Sequence, residues 1–210
     1  MPGPQPAGWG PSRRECGDAS LPRVAVQRND EVLVLADISG YTYFVGGTVL
    51  EHGKLWTARL LDLIAERITP KLRLSAIEGD SLLFYGNVAR PDEAMLPLLV
   101  DTYHDFRRLA ETIDPCDGCV CNACDSGKDL QLKYIVHAGT FVEQSVAGLV
   151  QLFGHDVNVA CRLLKNHIPT RQYVFVTEAA APHVPLGPDA VPHVETADFG
   201  EVRGRYQPLS

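Results

Sequence analysis

The stretch Glu31-Val-Leu-Val-Leu-Ala-Asp37-Ile38-Ser39-Gly40-Tyr41-Thr42 decides how this chain folds. Its apolar, β-branched first part reads as a buried strand, Glu31 to Ala36. Its second part is a turn that brings together a carboxylate, a glycine and hydroxyls. Such a strand delivers Asp37 to its carboxyl end, where a ligand or metal can be reached. An aspartate at that point is also a common turn or helix cap. A second junction of the same kind weighs towards chemistry. Ile77-Glu78-Gly79-Asp80-Ser81 joins two short strands, 71–77 and 81–85, through a tight Gly-containing hairpin that presents Asp80.

Outward from these junctions, helix-period apolar spacing begins at about Thr48 and runs to Ile68, with Pro70 closing it. A second helix spans roughly Arg90 to Ile113. Leu130–His137 and Thr140–Glu143 read as a strand pair around Gly139. Phe153 or Gly154 opens a third helix ending near Asn166, Tyr173–Val176 is a strand, and Val194–Pro208 is a closing hairpin turning through Glu201–Tyr206. Helices interspersed with hairpins predict an α+β domain, a ferredoxin-like mixed sheet with helices packed on it. Residues 1–28, rich in Pro and Gly, are expected to form a flexible arm. The domain then covers 29–210, with a Cys-rich insertion at 114–128.

A length of 210 residues with 45% hydrophobic content is enough for one full core. The formal charge of −7 argues against a nucleic-acid or anionic-membrane partner held by net charge. No apolar stretch approaches the ~20 residues of a spanning helix. The opening residues lack the apolar core of a signal peptide, so the expected compartment is the cytoplasm. The six cysteines are then read as thiols or metal ligands rather than disulfides.

Three constellations carry chemistry. Asp37 and Asp80, with the backbone carbonyl of Ile38, suit hard divalent cations, which take carboxylates together with phosphate and water. Two such ions ~4 Å apart stabilise both the attacking and leaving oxygens of a phosphoryl displacement. Asn158 and Arg162 lie four apart on one helix face, an amide and a forked guanidinium suited to an anionic target. Taken as an isolated helix, the pair reads first as structural, with Asn158 bonding backbone and Arg162 in a surface ion pair. Cys116, Cys119, Cys121 and Cys124 place four thiols within nine residues, as a tetrahedral Zn²⁺ site requires. His104 or another protomer could complete that set, and an Fe–S centre is the alternative metal group. Cys161, beside Arg162, is expected to pack as a small apolar residue. His137 and His155 are given structural places.

Asp37-Ile-Ser-Gly-Tyr-Thr, Glu78-Gly79-Asp80 and Gly154-x-x-Val157-Asn158-x-Ala160-x-Arg162 resemble, in order and spacing, the signature segments of class III nucleotidyl cyclase catalytic domains. His137-Ala-Gly139 is similar to the family's strand–Gly segment. Val202-Arg203-Gly204-Arg205 is similar to its closing Lys-Gly-Lys hairpin. The resemblance covers about Glu31 to Leu209. It implies that Asp37 and Asp80 hold two Mg²⁺ or Mn²⁺ ions, and that Asn158 and Arg162 orient the ribose and stabilise the transition state. Arg205 or Arg203 falls in the region of the phosphate-binding Lys. The implied reaction closes a nucleoside triphosphate to a 3′,5′-cyclic nucleotide and pyrophosphate at a homodimer interface.

The base-reading positions depart from the pattern. Ala76 stands where adenylate cyclases of this family carry Lys, and Gln151 where they carry Asp. The guanine-reading Glu and Cys are absent there as well. Losing a buried hydrogen-bonding partner changes base discrimination by orders of magnitude. ATP is the first substrate expected from the family, with CTP and UTP open. A silent nucleotide-binding module on the same scaffold, and a zinc or redox sensor built on the cysteine loop, are the rival readings.

Overall fold

The structure, a computed structural model, describes residues 29–47, 49–87, 94–113 and 126–210. The predicted arm, Thr48, the Arg90-Pro91-Asp92 helix start and the four clustered cysteines lie outside the described residues.

The central strand is β1 (Asn29–Ser39), longer than the sequence pattern suggests. It pairs antiparallel with β3 (Ser81–Gly86) on one side and β4 (Gln131–Val146) on the other. Val32, Val34, Ala36 and Ile38 point to one core, and Leu33 and Leu35 to a second core on the opposite face. Burial on both faces is why the run is apolar without alternation. Together with β2 (Arg73–Glu78), β5 (Leu149–Phe153), β6 (Tyr173–Thr177), β7 (Val191–Ala197) and β8 (Gly200–Pro208), it builds an eight-stranded mixed sheet. The order is β2-β3-β1-β4-β6-β8-β7, with β5 paired to β4. The β4–β6 pair is parallel and the other pairings are antiparallel. This is the mixed α+β architecture that the element order predicts.

Two long helices cover the first core. In α2 (Leu50–Ile68), Gly53, Leu60, Ile64 and Ile68 fall on the buried stripe. In α3 (Met95–Glu111), Met95, Leu99, Tyr103, Phe106 and Ala110 do the same, and Pro97 is tolerated in the first turn. A short helix, α1 (Tyr41–Gly46), precedes them and plugs Phe44 into the same core. The sequence periodicity misses it, because six residues are too few to show a period. The opposite face carries α4 (His155–Arg162), whose Val157, Val159 and Ala160 pack on Leu33, Leu35 and Ile135. No helix among the described residues is long and apolar enough to cross a membrane.

Two hairpins differ from expectation. The strand break at Gly139 is absent, and β4 runs unbroken through it to a turn at Ala147-Gly148. The glycine is there for space, since a Cβ would overlap the Asp156 carboxyl group that accepts from the Thr140 amide at 2.7 Å. The closing hairpin turns at Asp198-Phe199, so Arg203-Gly204-Arg205 is mid-strand. A Cβ on Gly204 would overlap the Val176 carbonyl oxygen and the Phe175 ring. Both glycines mark close packing rather than turns.

Candidate active site

The register that pairs β1 with β3 sets Asp37 opposite Ser81, and the Ile38 amide donates to the Asp80 carbonyl at 3.1 Å. The two aspartates named from the sequence therefore meet at one end of the sheet. Burial, and then the neighbouring charge of Asp37, push the Asp80 carboxyl above its ordinary value, while a backbone hydrogen bond and then Lys133 pull it back. Asp37 alternates with Ala36 and Ile38, so it projects from the sheet face that carries α4.

Lys133 is the residue that sequence reasoning missed. It lies opposite Asp37 in the β1–β4 register, with Nζ 3.1 Å from Asp37 Oδ2 and 2.9 Å from the Leu164 carbonyl to which it donates. The signal was present, because a lone cation inside Leu132-Lys133-Tyr134-Ile135-Val136 needs a counter-charge to be buried. Asp37, Lys133, Ala76, Glu78, Ser81 and Cys161 line one cavity of about 360 Å³. Ala76 thus shares a cavity with Asp37. Cys161 is exposed to this cavity rather than packed as an apolar residue, because the last turn of α4 stands over the pocket and not over the core. Burial of its sulfur, and then the charge of Glu78, push the thiol up.

The remaining named residues sit elsewhere. Asn158 is exposed on α4, and Arg162 pairs with Asp198 in the β7–β8 turn. Gln151 is exposed on β5 opposite Gln144. Arg203 and Arg205 alternate with Val202 and Tyr206, which belong to the core on Asp37's side, so both arginines project from the other face. Arg205 donates through Nε to the Ala190 carbonyl at 3.0 Å and through a terminal nitrogen to that of Pro188 at 3.0 Å. Arg203 donates to Glu201 at 2.7 Å. His137 is buried, with Nδ1 3.0 Å from Thr177 Oγ1 and Nε2 3.7 Å from Asp156.

Among the described residues no group of three or more His, Cys, Asp or Glu is arranged to hold a metal. Two neighbouring carboxylates are nevertheless the donor set that Mg²⁺ takes when phosphates and water complete its shell. Burial first, and then the Asp37 charge, raise the Asp80 carboxyl, and a cation beside it would relieve the second of these.

This fold has solved counterparts. A bacterial light-regulated adenylyl cyclase superposes with a TM-score of 0.66 at 16% identity, over 89% of this chain and 53% of that one. The guanylyl cyclase Cya2 superposes with a TM-score of 0.64 at 13% identity, over 88% of this chain and 95% of that one. The likeness establishes the fold of class III nucleotidyl cyclase catalytic domains. In sequence, the chain is 29% identical over 124 residues to the uncharacterized protein Rv2561/Rv2562 of Mycobacterium tuberculosis. The match spans 59% of this chain and 58% of that relative's length. The family described as a protein of unknown function, DUF2652, matches residues 57–173, more than half of the sequence, and the chain belongs to it.

Proposed function

We propose that this chain is a metal-dependent nucleotidyl cyclase, closing a nucleoside triphosphate to a 3′,5′-cyclic nucleotide and pyrophosphate in a homodimer. One observation carries the reading: Asp37 at the end of β1 and Asp80 in the adjoining β2–β3 turn are neighbours on a cyclase fold. Asp37, Asp80 and the Ile38 carbonyl would hold the ions, Mg²⁺ or Mn²⁺. When bound, these supply charge neutralisation of the phosphates and a lowered pKa for the attacking hydroxyl. Asn158 would orient the ribose, and Arg162, released from Asp198, would face the developing charge. Both are exposed on α4, and Arg162 is turned to Asp198 instead of Asp37, which suits a site completed by a second copy.

Incubating wild type and Asp37→Ala with ATP, GTP, CTP or UTP and Mn²⁺, with products identified by mass spectrometry, tests the reading. A cyclic product made by wild type alone is expected, and it names the base that Ala76 and Gln151 leave open. No cyclic product from a folded, dimeric wild type would sink the proposal.

A second reading, a nucleotide-binding module without turnover, is favoured by the Lys133 ammonium already standing on Asp37. In that case the four triphosphates bind and none is converted. A zinc-holding role for Cys116, Cys119, Cys121 and Cys124 is a separate proposal, tested by metal content of wild type against Cys119→Ser.

A further inference from the structure

We infer that Arg171 is a phosphate-binding residue of this site, its guanidinium receiving the terminal phosphate of the triphosphate tail. The inference rests on the cyclase reading. The closing-hairpin arginines stand on the face away from Asp37, and both are engaged, Arg205 by the Pro188 and Ala190 carbonyls and Arg203 by Glu201. Arg171 stands instead just before β6, whose Tyr173 shares Asp37's core and feels its charge.

Gly40 locates the guanidinium. It lies three residues beyond Asp37, at φ +94, a left-handed conformation that glycine adopts without strain. A Cβ there would overlap the terminal nitrogen of Arg171. The missing side chain therefore lets a cation sit against the backbone that follows the carboxylates. Gly40 and Arg171 share a cavity of about 420 Å³ with Tyr43, Ser126, Asp129 and Gln131. Among the described residues Arg171 has no hydrogen-bond or carboxylate partner, and Asp129 lines the cavity without pairing with it. A polyphosphate anchored at Asp37 and Asp80 and running along the 38–40 turn meets this guanidinium next. A forked donor matches a terminal phosphate, whose oxygens accept two parallel bonds. Lys133, by contrast, is committed to Asp37 and Leu164.

The test is a calorimetric titration of the full chain, in Mn²⁺, with each of the four nucleoside triphosphates and with tripolyphosphate as a base-free probe. Arg171→Ala should weaken tripolyphosphate, and every triphosphate that wild type binds, by about tenfold to a hundredfold. Arg171→Lys, which keeps the charge and loses the fork, should lose less. Unchanged melting curves would show that the exposed substitution leaves the fold intact. Equal affinity of wild type and Arg171→Ala for all bound probes overturns the assignment and leaves the cyclase reading standing. A loss with nucleotides but not with tripolyphosphate overturns it too, because the contact would then be to base or sugar. Wild type binding none of the five probes overturns the cyclase reading and the assignment together.

Discussion

The Lys133 ammonium, 3.1 Å from Asp37 and hydrogen-bonded to the Leu164 carbonyl, ties the carboxylate at the end of β1 to the turn that follows α4. Only 17% and 15% of the two side chains are exposed, so the pair is weakly screened. Replacing Lys133 by Met leaves Asp37 and Asp80 together without their nearest counter-charge. Unfolding free energy should fall by about 1–3 kcal/mol, less than for a fully buried pair. Added Mn²⁺ should raise the melting temperature of the variant more than that of wild type, since a bound cation replaces the missing ammonium. Thermal melts with and without Mn²⁺ measure both effects. Identical melting temperatures in the absence of metal would mean that the pair contributes nothing.

Asp80 is expected to destabilise the fold at neutral pH, through its burial first. Its folded carboxyl titrates above the ordinary value of 3.8, through burial and the charge of Asp37. The native state thus binds this proton more tightly than the unfolded state does. Its favourable contribution is complete below 3.8 and is lost as pH rises through the folded value. Asp80→Asn should therefore melt above wild type at pH 7, with the gap narrowing as pH is lowered towards 4. Mn²⁺ should stabilise wild type and not the variant. A variant less stable than wild type at pH 7 would mean that the Asp80 carboxylate is structurally required.

The contrast between Asp80 and Arg203 shows which parts of the site are legible in sequence. Asp37 ends one apolar run and Asp80 sits in the turn that opens another, so their meeting at one sheet end follows from pairing alone. Arg203 and Arg205 lie in a segment whose sequence pattern places a turn at 201–206, whereas the chain turns at 198–199. Because side chains alternate along a strand, which face they occupy depends on the strand's exact placement. Gly139 and Gly204 read as turn residues for the same reason, although each is flat against a neighbouring group. Arg171 carries no local signal at all, and only the juxtaposition of β6 with the Gly40 turn brings it into view.

Glu195 anchors the sheet edge. It is buried on β7 and accepts from the His167 amide at 2.9 Å, His167 Nδ1 at 2.7 Å and His193 Nε2 at 3.1 Å. Burial pushes its carboxyl up, but the His167 amide and the two imidazoles outweigh that and hold it below the ordinary 4.5. Stability from this group is present above 4.5 and is lost as pH falls through the folded value. Glu195→Gln keeps the shape and removes the charge, and should cost about 1–3 kcal/mol at pH 7. Urea midpoints measured against pH should show the gap between wild type and variant shrinking below 4.5. A gap independent of pH would assign the loss to shape.

Exposed Val146, Leu149 and Phe153 give the β4–β5 hairpin an apolar surface. If a second copy covers it, each site takes Asp37 and Asp80 from one chain and Asn158 and Arg162 from the other. Asp37→Ala and Arg162→Ala should then each abolish cyclisation alone. In a mixed dimer, one of the two sites is built entirely from the unmutated residues of both chains. Random exchange at equal concentrations should restore about a quarter of wild-type activity, given two-fold symmetry and one intact site in half of the dimers. Phe153→Asp, which places a charge in the apolar surface, should shift the chain towards monomer in sedimentation velocity and lower activity in proportion to the dimer lost. Failure of the mixed variants to recover activity, with exchange verified by differently tagged chains, would place all four residues in one protomer's site. The exposed position of Arg162, paired with Asp198 rather than directed at Asp37, argues for the shared arrangement.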